Sequence, residues 1–301
     1  MLRGAYVSLQ DLVELSKTSS ARARSRRSKS PMSGERVSVH RGRGVDFEEV
    51  RLYQPGDDVR NIDWKVTARK QLPHTKVYTE ERERPTLIVV DQSRSMFLGS
   101  NKRLKSVAAA EIAARIAWQT LAERDRVGGL VFGTDQIDVI KPFRNGTAVV
   151  KVLSAVVNAN RKLNVLDSRV RSERNKSERW KSLLLRLRRI APAHHRIFVV
   201  SDFAALEIEA VEELLNRGHH HEMQAIHVYD EIERTLPPAD FYNVTNGVSH
   251  VMFHSGRQSL RDEYSTRFSS KINELRSLCI RSNVSFTSIS TDNELDSFNF
   301  H

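Results

Sequence analysis

Asp91, Ser93 and Ser95 stand at alternate positions directly after the apolar run Thr86 to Val90, and an alanine-rich stretch follows them. One carboxylate and two hydroxyls on a strand-to-helix turn form a hard oxygen set, the kind that Mg2+ or Mn2+ prefers. Neutral hydroxyls leave such an ion underneutralised, so the site would attract a carboxylate from outside. That chemistry suits partner binding better than bond breaking. The competing reading is structural, because a serine at this place also caps a helix. A second acid, Asp202, closes another apolar run, Ile197 to Ser201. If the two strands are neighbours, both carboxylates reach one crevice. A further hydroxyl is expected from a third loop, where two residues compete. Ser177 precedes a helix leading to the strand that ends near Asp202, and Thr147 follows Asn145-Gly146. The order of elements favours Ser177, and either residue could be an N-cap.

These residues need a scaffold that brings strand ends together. From Pro85 onward, strand and helix patterns alternate: strands at 86–91, 126–132, 137–140, 197–201, 224–229 and 284–289, with helices at 102–123, 147–158, 177–190, 208–216 and 259–280. Alternation of this kind predicts an α/β fold, a doubly wound and mostly parallel sheet whose ligands sit at the carboxyl ends of the strands. The region 231–256, with Leu236-Pro237-Pro238 and Asn246-Gly247, reads as a hairpin insertion. Ahead of the sheet lie a short amphipathic helix within 1–17, a serine and arginine run at 18–33 that reads as a flexible tether, and a strand and turn region at 34–84. That region has strand patterns around 37–40 and 76–78 with a turn-rich centre between them, and residues 292–301 form a tail.

The 301 residues carry a net charge of +11, and between Lys17 and Arg43 nine basic residues face Glu35 alone. This arm supports an alternative function, binding of nucleic acid or an anionic surface, although no aromatic residues interleave with the charges to stack bases. Cys279 is the single cysteine, which excludes an internal disulfide or a thiolate cluster and fits a reducing compartment. No apolar run approaches the ~20 residues needed to span a bilayer, and Arg3, Asp11 and Glu14 interrupt the first segment, so a cytoplasmic location is expected.

Other constellations read as structural. Asp57, Asp58 and Asp63, interspersed with Arg51, Arg60 and Arg69, are expected to form ion pairs and caps rather than nuclease ligands, and Trp64 a packing anchor. No obvious nucleophile or general base accompanies them, so no enzyme is expected. His219, His220 and His221 are consecutive and cannot share one face. No Gly-x-x-x-x-Gly-Lys-Ser/Thr loop occurs, so any ATP hydrolysis belongs to a partner.

The runs Tyr53-Gln54-Pro55-Gly56-Asp57-Asp58, Ile62-Asp63-Trp64, Glu80-Glu81-Arg82-Glu83-Arg84, Asp91-Gln92-Ser93-Arg94-Ser95-Met96, Asp125-Arg126-Val127-Gly128, Ser201-Asp202-Phe203 and Glu233-Arg234-Thr235-Leu236-Pro237 closely resemble the bacterial family known as domain of unknown function number 58. The resemblance implies a von Willebrand factor A-like domain with an added amino-terminal strand region. It also implies a metal-ion-dependent adhesion site at Asp91, Ser93, Ser95 and Asp202, with Ser177 nearest the position of the usual threonine. Family members resemble adaptors of a MoxR-type AAA+ ATPase, acting in maturation or metal insertion of client proteins.

Overall fold

The computed structural model describes residues 1–17, 45–80, 85–134, 136–163, 176–192, 194–204, 208–237, 240–245 and 250–295. The tether at 18–33, the strand pattern at 37–40 and the end of the tail lie outside them. The chain divides into two units, Ser30–Glu83 and a larger one made of Met1–Lys29 with Arg84–His301.

In the smaller unit, β1 (Val45–Leu52) pairs antiparallel with β2 (His74–Glu80), and the register shifts between Phe47 and Glu49. Sequence alone suggests a turn-rich centre where β1 lies. Acids at Asp46, Glu48 and Glu49 blur its alternation, and the bulge breaks it. Gly56, at φ +110°, supplies the left-handed residue after Pro55 that the following turn requires. Asp63 caps α2 (Trp64–Lys70), accepting from the N–H groups of Lys65 and Val66. Trp64 corrects the expectation of a packing anchor: it sits in the first turn of this short helix and is 71% exposed.

The larger unit is built on a six-stranded sheet. Its strands are β3 (Thr86–Asp91), β4 (Val127–Phe132), β5 (Ile137–Phe143), β6 (Arg196–Ser201), β7 (Glu222–Tyr229) and β10 (Ser285–Ser290). They lie in the order β10-β7-β6-β3-β4-β5, all parallel except β5. A hairpin of β8 (Phe241–Thr245) and β9 (His250–His254) interrupts the alternation, within the region expected for it. The fold is therefore α/β, doubly wound and mostly parallel, with an antiparallel strand pair ahead of it.

Every residue of β3 is buried, as expected of a strand covered on both faces. Ile88 and Val90 point into one apolar layer, formed with α3 (Lys105–Ala122) and α4 (Gly146–Arg161). Leu87 and Val89 point into the other, formed with α5 (Lys176–Ile190), α6 (Ile208–Leu215) and α8 (Gln258–Arg281), where Cys279 is also buried. The alanines of α3 let it lie close beneath the sheet, since Ala108, Ala109, Ala110, Ala113, Ala114 and Ala117 are all fully buried. The same helix buries Glu111, which accepts from Arg103 and Arg115, themselves almost fully covered. α1 (Leu9–Glu14), closed by a Ser8–Asp11 capping box, docks Leu12 in the first layer, and the Trp118 indole donates to the Leu12 carbonyl.

Candidate metal centre

β3 and β6 are hydrogen-bonded neighbours, from Thr86 opposite Arg196 to Val90 opposite Val200. They form the middle of the sheet, where the strand order reverses, and it is there that doubly wound folds open a crevice at the carboxyl ends. Asp91 and Asp202 flank that crevice.

A chain of hydrogen bonds connects them. Asp91 is 2% exposed; its Oδ1 accepts from the Ser93 N–H at 2.8 Å and its Oδ2 from the Ser201 hydroxyl at 2.6 Å. The Ser95 hydroxyl donates to Asp202 Oδ1 at 3.1 Å and lies 3.2 Å from the Ser93 hydroxyl. Because Ser95 spends its proton on Asp202, Ser93 is the donor of that pair. Neither serine is a simple cap. The Ser93 side chain makes no capping bond to the backbone of the 3-10 turn that follows it, and α3 begins only at Lys105, after Leu104. The backbone turns sharply here: Phe203, buried, adopts φ +51°, a conformation costly for a bulky residue, and its N–H donates to Ser201 Oγ.

Asp202 is further held by the Ala204 N–H on Oδ1 and by the Lys105 ammonium, 2.7 Å from Oδ2. Lys105 is itself 1% exposed, and its ammonium also reaches Glu233 Oε1 at 2.8 Å. Glu233 belongs to α7 (Glu231–Arg234), where its other oxygen accepts from the Asp230 N–H. Asp230 in turn accepts from Ser100 and Thr291. Burial, the largest single influence, would raise the Asp202 carboxyl, but the Lys105 charge together with the hydrogen bonds from Lys105, Ala204 and Ser95 holds it below the usual carboxylate range. Among the described residues, no such cation pairs with Asp91. Burial, and then the charge of Asp202, push it up to about 6 against the hydrogen bonds from Ser201 and Ser93.

The donor set suits a hard cation, with two carboxylates and two hydroxyls converging and no sulfur or imidazole among them. For the third-loop hydroxyl, the topology separates the two candidates. β5 runs antiparallel, with Phe143 opposite Val127, so Thr147, in the first turn of α4, lies at the far end of the sheet, roughly 15 Å along the strands from Asp91. Thr147 is therefore excluded. Ser177 lies in the first turn of α5, whose Trp180 ring packs, tilted, with its centroid 4.9 Å from that of Phe132, the β4 residue opposite Asp91. That is the correct end, although the Ser177 side chain lies outside the described residues.

Sequence reasoning misses Lys105, Ser201 and Glu233. One signal is present: a lysine at the first position of a helix opposes the helix dipole and calls for a compensating acid. Elsewhere the structural readings have plain geometry. Asp57 makes a two-pronged ion pair with Arg51, at 2.9 and 2.7 Å, and Asp58 pairs with Arg60. The side-chain bonds from these arginines lower both carboxyls. His221 is buried and accepts from the His195 N–H, while His219 and His220 are exposed. Among the described residues, no three His, Cys, Asp or Glu side chains gather as a ligand cluster, and no helix is long and apolar enough to cross a membrane.

A family model described as "Protein of unknown function DUF58" matches residues 49–273. Uncharacterized proteins Rv1480 of Mycobacterium tuberculosis and Mb1516 of Mycobacterium bovis are each 39% identical over 100 residues, which is 33% of this chain and 32% of theirs. The chain thus spans about a third of the length of the curated relatives it matches. Among solved structures, the conserved hypothetical protein BatB from Bacteroides thetaiotaomicron is 12% identical, over 70% of this chain and 92% of that one, with a TM-score of 0.37. The SpRpn10 VWA domain is 15% identical, over 71% and 92%, with a TM-score of 0.38.

Proposed function

The chain belongs to the family described as protein of unknown function DUF58, and from that premise we propose that it is a non-enzymatic, metal-dependent protein-interaction module of von Willebrand factor A type. The observation that carries this reading is the hydrogen-bonded chain Asp91–Ser93–Ser95–Asp202 across the carboxyl ends of adjacent strands. Asp91, Ser93 and Ser95 would hold Mg2+ or Mn2+ most directly, with Ser177 as the third-loop hydroxyl. Asp202 takes two donors on Oδ1 and the Lys105 ammonium on Oδ2, against one neutral donor on each oxygen of Asp91, so its contribution would run partly through water. A bound ion supplies an underneutralised positive centre that favours a carboxylate from another protein. Ser201 and the Ser93 N–H keep Asp91 oriented, while Lys105 and Ala204 do the same for Asp202.

The partner in this reading is a MoxR-type AAA+ ATPase, with the chain as its adaptor toward a client in protein maturation or metal insertion. The test is association of the full chain with such an ATPase, by calorimetry in Mg2+ and in chelator. Binding should require the metal, vanish in Asp91→Ala and weaken about 10–100-fold in Ser95→Ala. Equal affinity in chelator would overturn the proposal.

A further inference from the structure

Lys105 is the feature that a simple cation-binding reading leaves unexplained. Its ammonium is almost completely removed from water and sits at the first position of α3, where the helix dipole already presents positive charge. Burying a cation there is costly, and a long apolar side chain would fill the same volume without that cost. What Lys105 gains are two carboxylates of different kinds. Asp202 belongs to the candidate centre; Glu233 comes from α7, 128 residues further along the chain, and keeps 24% of its side chain exposed. The lysine thus takes one oxygen from a residue that would otherwise serve an ion, and Glu233 draws part of the ammonium's charge away from it.

We propose that Lys105 is a built-in counter-charge that weakens divalent-cation binding at Asp91, Ser93, Ser95 and Asp202, with Glu233 as the positioning residue that limits its hold on Asp202. The inference rests on the metal reading of that site and adds a consequence. With one positive charge already in place, two carboxylates do not saturate a divalent ion, so cation and partner carboxylate each favour the other's binding. Lys105 and Glu233 then tune how strongly a partner's carboxylate is required.

The two side chains act with opposite signs, which a purely structural role would not produce. Glu233→Gln keeps an oxygen for the Asp230 N–H but directs the ammonium wholly onto Asp202. Lys105→Met removes the charge at similar length. Because Lys105→Met leaves two acids facing each other, the double variant Lys105→Met/Glu233→Gln serves where the single one does not fold. Mn2+ binding to the full chain is read by the electron paramagnetic resonance signal of free Mn2+, with the Mn2+-dependent rise in melting temperature as a second readout. Relative to the unsubstituted chain, Lys105→Met or the double variant should bind at least tenfold tighter, and Glu233→Gln at least threefold weaker. Binding by all forms with equal affinity overturns the role of Lys105 and leaves the metal site standing. Binding by none overturns the metal reading, and this inference with it. Binding only after Lys105 is removed supports the counter-charge and overturns metal dependence of the natural chain.

Discussion

Asp91 carries a charge that its surroundings oppose. Its carboxyl is raised to about 6 by burial and by Asp202, so at neutral pH the group is ionised but its charge costs the folded chain more than the unfolded one. As pH falls from about 6 toward the unfolded value, the folded state takes the proton first and the penalty disappears. Asp91→Asn should therefore raise the melting temperature in chelator at pH 7.5, by the equivalent of about 2–3 kcal/mol, and flatten its dependence between pH 4 and 6. Thermal melts across pH check both outcomes. His227 works in the other direction. It is buried beside Tyr229, Phe268 and Phe286, with Ser288 at Nδ1, and burial lowers it to about 4, although Asp202 pulls it upward and Lys105 and Lys271 push it down. Above its unfolded value it is neutral in both states. As pH falls from about 6.5 toward 4 only the unfolded chain gains the proton, and stability is lost. His227→Gln should remove that part of the acid sensitivity in urea titrations at pH 5 and 7.5. At this scale Asp91, Ser93, Ser95 and Asp202 are legible, because acids closing apolar runs and hydroxyls at alternate positions are local patterns. Lys105 and Glu233 are not, since no spacing rule joins residues so far apart. Trp64 misleads because bulk alone says nothing about which way a first-turn residue points.

Elements are legible where a run of apolar residues is long and uninterrupted. The six residues of β3 have the same limits in sequence and structure. β1 escapes notice, since its acids and bulge conceal the period-two signal, and β5 runs three residues beyond its expected end. The irregular pairing of β4 with β5 shows why Gly128 matters. A Cβ there would stand 2.6 Å from the Ile140 carbonyl oxygen and 2.7 Å from the Pro142 nitrogen, both backbone atoms. Gly128→Ala should cost about 1–3 kcal/mol in chemical denaturation, through a forced shift of the edge strand. Gly146, the first residue of α4, offers the contrast, since a methyl added there would meet nothing within 4 Å. Gly146→Ala should leave stability unchanged or raise it by up to about 1 kcal/mol, by restricting the unfolded chain.

Across the whole molecule, the two units differ in what holds them. The larger has apolar layers on both faces of its sheet, and a fully buried Glu111 shared by two arginines. Glu111→Ala would strand both guanidiniums without their carboxylate, and unfolding in urea should register a loss of about 3–5 kcal/mol. In the smaller unit, none of the apolar side chains among the described residues is buried; the buried ones there are His74 and Thr75. A two-stranded ribbon of this kind is marginal alone, so an excised 30–83 peptide should show no cooperative melt by circular dichroism. The alternation of strands and helices carries this architecture in the sequence. The sequence also sets residues 34–84 apart, since their turn-rich pattern gives way to regular alternation at Pro85. Cys279, on the inner face of α8, is fully covered, and burial raises its thiol to about 11, so very little of it is thiolate near neutrality. A cysteine introduced at exposed Arg94, which stands between Ser93 and Ser95 in sequence, would then be the sole target for a maleimide dye. The natural chain thus comes already prepared for single-position fluorescent labelling, with no native thiol to remove first.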